Sequence, residues 1–358
     1  MSAAVRAVID TGALRHNLGV IRQRARGARI AAVVKANAYG HGLVATSQVL
    51  LAADALAVAR LEEGLALRAA GITRPILLLE GVNSAQQLEQ AMQQGFELVV
   101  HDRLQVELLE QLATPRSCAL WIKIDTGLNR LGVRPRELAD VLERVRRLPV
   151  PPLEIRLLTH LACADERHSD MTEQQLAVFK EATRGLHHPV SIASSASLFG
   201  DVPVGGDWVR PGLALYGASP FADRSAAELG LRPVMSLETE VIAVRQVQRG
   251  ETVGYGATWR AARDCVIAIA AVGYGDGLPR SLPSGTPVLV HGQRAPLAGR
   301  VSMDMIAVDA TALPQVATGA RVVLWGQELP VEEIARWAGT IPYELLCGLS
   351  QRVQLELR

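Results

Sequence analysis

The sequence predicts an α/β protein: an N-terminal (β/α)8 barrel of the TIM type, followed by a mostly β C-terminal domain. Short apolar segments alternate with amphipathic segments at helical spacing as far as about residue 216. No G-x-G-x-x-G loop follows the first of these segments, which disfavours an open, doubly wound sheet. Beyond about residue 219, glycines and prolines separate short β segments. We therefore assign residues 1–225 to the barrel and residues 226–358 to the second domain.

Eight apolar, β-branched segments are the predicted barrel strands. In chain order they are residues 30–34, 55–58, 76–79, 98–100, 120–124, 155–160, 190–193 and 208–216. Amphipathic helices are predicted between them, at residues 61–70, 85–94, 104–112, 136–147 and 172–186. Eight strands with intervening helices over roughly 200 residues fit a closed parallel barrel better than an open sheet.

The second domain is predicted to consist of β strands separated by turn-forming residues. The predicted strands are residues 237–247, 266–272, 288–290, 305–309 and 321–324, with one helix at 331–338. The opening segment, residues 6–10, is a candidate to cross over and join this domain.

Bulk composition excludes several classes of protein. The net charge is +1, so electrostatics favour neither a nucleic-acid nor a membrane partner. No segment is apolar enough to span a bilayer, and the start lacks the apolar core of a signal peptide. We expect a cytoplasmic protein with free thiols and no metal site, because its cysteines are scattered without ligand spacing. They are Cys118, Cys163, Cys265 and Cys347.

Polar side chains stand where the predicted barrel strands end, the face on which such barrels place their active sites. Each alone is weak evidence, because a strand-end histidine usually packs through a hydrogen bond and a strand-end lysine usually extends to solvent. Their occurrence at successive strand ends favours a functional site. The residues are Lys35, Lys123, His160, Ser194, Ser195 and Arg210.

Lys35 carries the most informative motif, V-V-K-A-N-A-Y-G-H-G over residues 33–42. A desolvated amine is a nucleophile toward aldehydes, as attachment of pyridoxal phosphate requires. The string resembles the cofactor-lysine motif of the alanine racemase family very closely. The strings KIDTGLNRLG, THLACADE, SSAS, RPGLALYG, VGYGATW, VGYGDG and GRVSMDM follow in that family's order at close to its spacing. The resemblance therefore covers essentially the whole chain.

The resemblance implies that Lys35 binds pyridoxal phosphate as an aldimine and acts as one of two catalytic bases. The cofactor phosphate would be held by three hydroxyl groups and two backbone N–H groups. The hydroxyl groups are those of Tyr39, Ser195 and Tyr343, and the N–H groups are those of Gly212 and Leu213.

The residue that faces the pyridine nitrogen governs the reaction type. The resemblance implies that this residue is Arg210, supported by His160, while Arg130 reaches the cofactor phenolate and the substrate carboxylate. An aspartate would keep the ring protonated and favour transamination, whereas arginine is always charged and cannot accept that proton. This favours racemisation.

Racemisation removes a proton from one face of the α-carbon and returns one to the other, so it needs groups on opposite sides. The resemblance implies that Tyr255 is the second base. It also implies a homodimer with shared active sites, in which the β domain of one subunit covers the barrel mouth of the other. The substrate pocket would be completed by Tyr274, Met303 and Asp304, with Arg280 and Arg300 at its entrance.

Lys123 is predicted to lie in the barrel interior, seven residues before Arg130, with no obvious acidic partner. Two buried cations close together are costly. In many members of the family the matching lysine is carbamylated, which gives a carboxylate-like group that can bind the arginine. We expect Lys123 to be an N-carboxylysine of this kind rather than an ordinary lysine.

The sequence thus predicts interconversion of L-alanine and D-alanine, for peptidoglycan precursors or for alanine catabolism. A racemase of serine or of broad specificity remains an alternative, because Ser194 stands where the family usually has asparagine and Gln351 where some members have tyrosine. A broad-specificity periplasmic racemase is expected to carry a signal sequence. Aldolases and decarboxylases share the barrel, but Tyr255 and the pair Met303–Asp304 favour a racemase of small substrates. A non-catalytic pyridoxal phosphate-binding protein would not need Tyr255.

Overall fold

The computed structural model describes residues 5–112 and 116–358. Strand β1 (Arg6–Ile9) and helix α1 (Thr11–Arg24) come first. Asp10 caps α1, because its side chain accepts a hydrogen bond from the N–H of Ala13 at 2.9 Å. Within these two ranges, no helix is long and apolar enough to cross a membrane.

Eight parallel strands then close into a barrel, which confirms the predicted fold class. The strands are β2 (Arg29–Val33), β3 (Ala55–Val58), β4 (Ile76–Leu78), β5 (Glu97–Val100), β6 (Ala119–Lys123), β7 (Glu154–Leu158), β8 (Val190–Ser194) and β9 (Trp208–Arg210). The connecting helices are α2 (Leu43–Val49), α3 (Leu61–Ala69), α4 (Ala85–Gln93), α5 (Arg103–Glu110), α6 (Leu138–Arg146), α7 (Met171–Ala182) and α8 (Ser195–Phe199). Most strand residues are buried on both faces, which explains their continuous apolar runs.

Two predicted barrel strands end two or more residues earlier in the structure. Strand β7 ends at Leu158, before His160. The predicted strand over 208–216 was wrong beyond Arg210, because Pro211 has no N–H for the ladder. Leu213–Tyr216 instead form a 3₁₀ turn.

The β domain contains an eight-stranded sheet that includes β1. Its other strands are β10 (Met235–Val247), β13 (Cys265–Ala270), β14 (Pro287–Val290), β15 (Gln293–Pro296), β16 (Ile306–Asp309), β17 (Arg321–Trp325) and β18 (Gln354–Leu357). The strand order is β15-β14-β17-β10-β1-β18, with β13 paired to β10 and β16 paired to β13. A separate hairpin joins β11 (Thr252–Val253) to β12 (Trp259–Arg260). Helices α9 (Val331–Ala338) and α10 (Pro342–Cys347) lie between β17 and β18.

The predicted crossing of the opening segment is confirmed. Strand β1 pairs antiparallel with β10 and parallel with β18. The sequence did not predict β18, because two of its apolar side chains, Leu355 and Leu357, are exposed and its partner lies at the other end of the chain.

The interior of the barrel near the amino ends of its strands is filled by a polar–aromatic cluster, which we call the barrel base. The Arg156 guanidinium lies 4.8 Å from the ring centroid of Trp121 and 4.6 Å from that of Trp208. It pairs with Glu97 at 2.8 Å and with Glu154. Glu97 also accepts a hydrogen bond from the indole of Trp121. The barrel is therefore filled at this end by an arginine whose charge is paired with carboxylates.

Candidate active site

A cavity of about 520 Å³ opens at the other end of the barrel, where the strands have their carboxyl ends. Its wall includes every residue that the sequence analysis assigned to the cofactor. These residues are Lys35, Tyr39, Arg130, His160, Ser195, Arg210, Gly212, Leu213 and Tyr343. Lys123 and Ser194 also line it. The structure thus brings together side chains that are up to 308 residues apart in sequence.

Lys35 lies just after strand β2, at the point where the backbone enters the left-handed region of φ. The next four residues, 36–39, have φ values of 53–55° although none is glycine; we call this segment the left-handed turn. Such a conformation costs roughly 1–2 kcal/mol per residue, so neighbouring groups must stabilise it. The N–H of Ala36 donates to Oε1 of Glu63 at 2.7 Å, which fixes the start of the turn.

The left-handed turn packs against helix α10 of the β domain. Gly40 has φ 80°, and a Cβ atom there would lie 2.0 Å from the carbonyl oxygen of Leu346. Glycine is therefore required for this approach. The contact brings Tyr343 and Cys347 to the cavity wall, with the ring of Tyr343 6.0 Å from that of Tyr39.

Hydroxyl and backbone N–H groups converge at one side of the cavity. Oγ of Ser195 accepts hydrogen bonds from the N–H groups of Gly212 at 2.9 Å and Ala214 at 3.2 Å. A Cβ atom on Gly212 would lie 2.3 Å from the hydroxyl oxygen of Tyr39, so these groups are in direct contact. Such a cluster, which we call the anion cradle, is typical of phosphate binding.

The cavity carries a strong excess of positive charge. Among the described residues its wall holds four cationic side chains against a single carboxylate, that of Glu80. The cations are Lys35, Lys123, Arg130 and Arg210. An uncompensated cluster of this kind favours anionic ligands.

Arg210 is buried without a carboxylate partner in the described structure. Its guanidinium donates to Oγ of Ser191 and to the carbonyl oxygen of Thr159, the latter at 2.7 Å. Burial lowers the pKa of Arg210 to about 10, so it is still charged near neutrality. Burial, followed by the charge of Arg210, lowers the pKa of His160 to about 3, which keeps that imidazole neutral.

Lys123 is also buried among like charges. Burial, then Arg130 and Arg210, lower its pKa to about 8, with Asp125 opposing. Asp125 pairs instead with Arg134 at 3.0 Å and accepts backbone N–H groups of its own loop. Lys123 is therefore an amine with a substantial uncharged fraction in mildly alkaline solution.

The residues predicted for the second base and the substrate pocket lie elsewhere, on the surface of the β domain. We call Tyr255, Tyr274, Met303 and Asp304 the β-domain patch. The Tyr255 side chain is 69% exposed. The loops of Tyr274 and Met303 are joined by backbone hydrogen bonds, from Tyr274 N to Ser302 O at 3.0 Å and from Gly275 N to Met303 O at 2.8 Å.

Arginines surround this patch. Asp304 pairs with Arg352 at 2.7 Å. Arg280 and Arg300 line a shallow pocket of about 380 Å³. A Cβ atom on Gly256, next to Tyr255, would lie 3.0 Å from Nη1 of Arg300.

Two polar residues of the cavity wall, Glu80 and Cys347, were not predicted from the sequence. Cys347 stands one helical turn after Tyr343, so the spacing could have indicated it. Glu80 follows strand β4, at the level of the other strand-end residues. It could have been predicted because barrel active sites lie at the carboxyl ends of the strands.

A lysine beside an anion cradle, in a cationic cavity at the mouth of a (β/α)8 barrel, defines a class of barrel enzymes that bind anionic cofactors or substrates. Residues 9–220 match the family described as "Alanine racemase, N-terminal domain", and residues 234–357 match "Alanine racemase, C-terminal domain". The chain belongs to the alanine racemase family.

Individual relatives agree over nearly the full length. The chain is 46% identical to "Alanine racemase" of Vibrio vulnificus (strain CMCP6), covering 98% of both sequences. It is 48% identical to "Alanine racemase" of Nitrosococcus oceani, covering 97% of both. Among solved structures, it matches the biosynthetic alanine racemase from Pseudomonas aeruginosa with a TM-score of 0.96 and 44% identity, over 100% of each chain.

Proposed function

We propose that this protein racemises alanine, interconverting the L and D enantiomers, with pyridoxal 5'-phosphate as its cofactor. The observation that carries the proposal is the position of Lys35 in one cavity with the anion cradle of Ser195, Gly212 and Tyr39. The full-length relatives named alanine racemase support alanine as the substrate. The reaction serves D-alanine supply for peptidoglycan or alanine catabolism, in the cytoplasm.

The donor set of the cavity fits this cofactor. Its phosphate would be held by the cradle and by the hydroxyl of Tyr343, while Arg210 would donate to the ring nitrogen, with His160 supporting that arginine. Bound at Lys35, the cofactor supplies an electron-withdrawing ring that makes the α-proton of an amino acid removable. The excess of cations suits a doubly charged phosphate together with a substrate carboxylate.

Four side chains have distinct tasks in the proposed reaction. Arg130 binds the substrate carboxylate and fixes the orientation of the α-carbon. Nζ of Lys35 exchanges a proton with one face of that carbon, and the hydroxyl of Tyr255 exchanges a proton with the other. Arg210 is charged near neutrality, so it donates a hydrogen bond and does not take up the proton.

The second base comes from another copy of the chain in this proposal. Tyr255 stands on an exposed surface, and among the described residues the cavity wall contains Lys35 but no part of the β-domain patch. A two-fold homodimer that seats each patch over the partner's cavity completes both sites at once. Exposed apolar side chains of the patch, Tyr274 and Met303 among them, suit such a contact.

The proposal is tested by incubating the purified protein and cofactor with one L- or D-amino acid at a time and following circular dichroism. We expect the alanine signal to decay to zero from either enantiomer. Ser194 on the cavity wall favours a second candidate, a racemase with appreciable activity on serine. A faster decay for serine than for alanine would select that candidate, and cofactor binding without any decay would select a carrier.

Cofactor attachment is tested by borohydride reduction and peptide mapping. The chain has only three lysines, Lys35, Lys123 and Lys180. We expect the label on Lys35. A label on either of the others, or a colourless protein that takes up no cofactor, refutes the proposed site.

A further inference from the structure

His41 is a buried histidine that the proposed reaction does not use. Its side chain is among the most buried polar groups, and burial lowers its pKa to about 4, so the ring is neutral near pH 7. Nδ1 lies 2.8 Å from the carbonyl oxygen of Tyr39 and 3.1 Å from that of Ala38. Because both neighbours are acceptors, Nδ1 carries the proton and donates it. Nε2 has no partner in the part of the chain that the structure describes.

The ring of His41 belongs to an aromatic stack under the cavity. Its centroid lies 4.5 Å from the ring of Tyr216, which is stacked on the ring of Tyr39 at 4.7 Å. The hydroxyl of Tyr216 donates to the carbonyl oxygen of Val33 at 2.9 Å. One stack therefore contacts both Tyr39 and the strand that leads into Lys35.

We infer that His41 is a positioning residue: its Nδ1–H holds the left-handed turn and thereby fixes the hydroxyl of Tyr39 in the anion cradle. The turn is four non-glycine residues in a conformation that each disfavours, so it persists only where outside groups stabilise it. Glu63 fixes the first N–H of the turn, and His41 fixes its last two carbonyl groups. The identity of the anion as the phosphate of pyridoxal phosphate rests on the proposed function.

Two variants separate the donor of His41 from its ring. His41→Phe keeps an aromatic ring against Tyr216 but leaves the buried carbonyl group of Tyr39 without its side-chain donor, while the carbonyl group of Ala38 keeps the backbone N–H of residue 41 at 3.1 Å. His41→Asn places an amide N–H near the position of Nδ1 and loses the ring. The dissociation constant of pyridoxal phosphate is measured on each apoprotein by absorbance titration. We expect about a tenfold weakening for His41→Phe and less than about threefold for His41→Asn.

A rescue variant tests the left-handed turn itself. Ala36 is exposed and has φ 53°, a value that glycine adopts without the cost that alanine carries. Ala36→Gly in the His41→Phe background should recover about fivefold in affinity. The matched control is Gln315→Gly, which relieves the same strain (φ 58°) at an exposed site of the β domain and should recover nothing.

Equal weakening by His41→Phe and His41→Asn would assign the effect to packing and overturn the inference, as would wild-type affinity in His41→Phe. So would the absence of rescue by Ala36→Gly, or equal rescue by Gln315→Gly. If His41→Phe does not fold, it is replaced by His41→Gln, whose amide lies one carbon farther out. His41→Gln should then bind pyridoxal phosphate more weakly than His41→Asn. A wild-type protein that binds no pyridoxal phosphate would refute the proposed function alone, and the same ranking would then be measured with inorganic phosphate.

Discussion

Arg156 and Arg210 are buried to nearly the same extent in one barrel, at 7% and 6% exposure, yet their surroundings are opposite. Arg156 in the barrel base has two carboxylate partners and lies between two indole rings. Among the described residues, Arg210 at the mouth has only neutral oxygen acceptors, and it lies near other cations. The difference shows that burial does not decide what a buried arginine does. Paired with carboxylates, Arg156 closes the barrel base; left without a counter-charge, Arg210 is available to donate a hydrogen bond to the ring of the proposed cofactor.

The comparison predicts that substitutions at the mouth change catalysis and substitutions at the base change stability. The largest effect is expected for the two proposed bases. Lys35→Ala should lower racemisation at least about a thousandfold. Tyr255→Phe should lower it about a hundredfold or more while cofactor binding is unchanged. Neither should lower the melting temperature of the apoprotein, because each removes a group that no described partner holds. Near-normal racemisation by Tyr255→Phe would mean that another residue is the second base.

Mixing the two inactive variants tests whether a site is shared. In a mixed dimer of Lys35→Ala and Tyr255→Phe, one site carries both lesions and the other carries neither. With random exchange, about half of the dimers are mixed and about a quarter of all sites recover. Mixing Lys35→Ala with a Lys35→Ala/Tyr255→Phe double variant is the control, because no intact site can form. No recovery despite proven exchange would refute the shared site.

At the barrel base, Arg156→Met should destabilise the fold by about 3–5 kcal/mol, because it leaves Glu97 buried without its counter-charge. Burial already raises the pKa of Glu97 against the opposing effect of Arg156. Urea unfolding measures the loss, and the turnover of the remaining folded protein should equal that of the wild type. The double variant Arg156→Met/Glu97→Gln should recover part of the stability. A folded but inactive Arg156→Met would contradict the division between base and mouth.

The sequence could predict the strand ends of the barrel because parallel strands buried on both faces are continuous apolar runs. That alone places Lys35, Lys123 and Arg210 at the carboxyl end. The overextended eighth strand has a local cause: residues 213–216 are apolar and resemble a strand, but Pro211 ends the ladder before them.

The backbone of the left-handed turn could not be predicted in the same way. Ala36 and Ala38 have no preference for positive φ, and only Asn37, Gly40 and Gly42 indicate that the backbone can become left-handed here. The conformation is imposed by tertiary contacts. The role of Glu63, 27 residues away, has no local signal for the same reason.

A carbamate on Lys123 would give the cations at the barrel mouth a negative counter-charge. The arginine of the barrel base already has such a counter-charge. We expect carbon-13 bicarbonate to give a carbamate signal that Lys123→Ala abolishes. That variant should lose about tenfold in activity, partly restored by acetate. Lys180→Ala, at an exposed lysine of helix α7, is the matched control and should keep both signal and activity. An unmodified Lys123 ammonium in an experimental density map would refute the carbamate.

Substitution of His160 is expected to change the free energy of unfolding least at neutral pH. The change grows as the solution becomes acidic. The folded-state pKa of His160, about 3, lies below the ordinary value of 6.5, owing to burial and then to the charges of Arg210 and Lys123. Between those values the unfolded chain binds a proton that the folded chain does not, so the stability held above pH 6.5 is lost as the pH falls toward 3. His160→Gln should reduce the slope of unfolding free energy against pH by about 1.4 kcal/mol per pH unit in that window. Above pH 7 the slope should be unchanged. Urea unfolding from pH 4 to 8 measures the difference. His41 titrates alike in both proteins, so subtracting the two curves isolates His160. Parallel curves would mean that folding does not lower the pKa of His160. Its protonated ring would then be tolerated beside the cations at the mouth of the barrel.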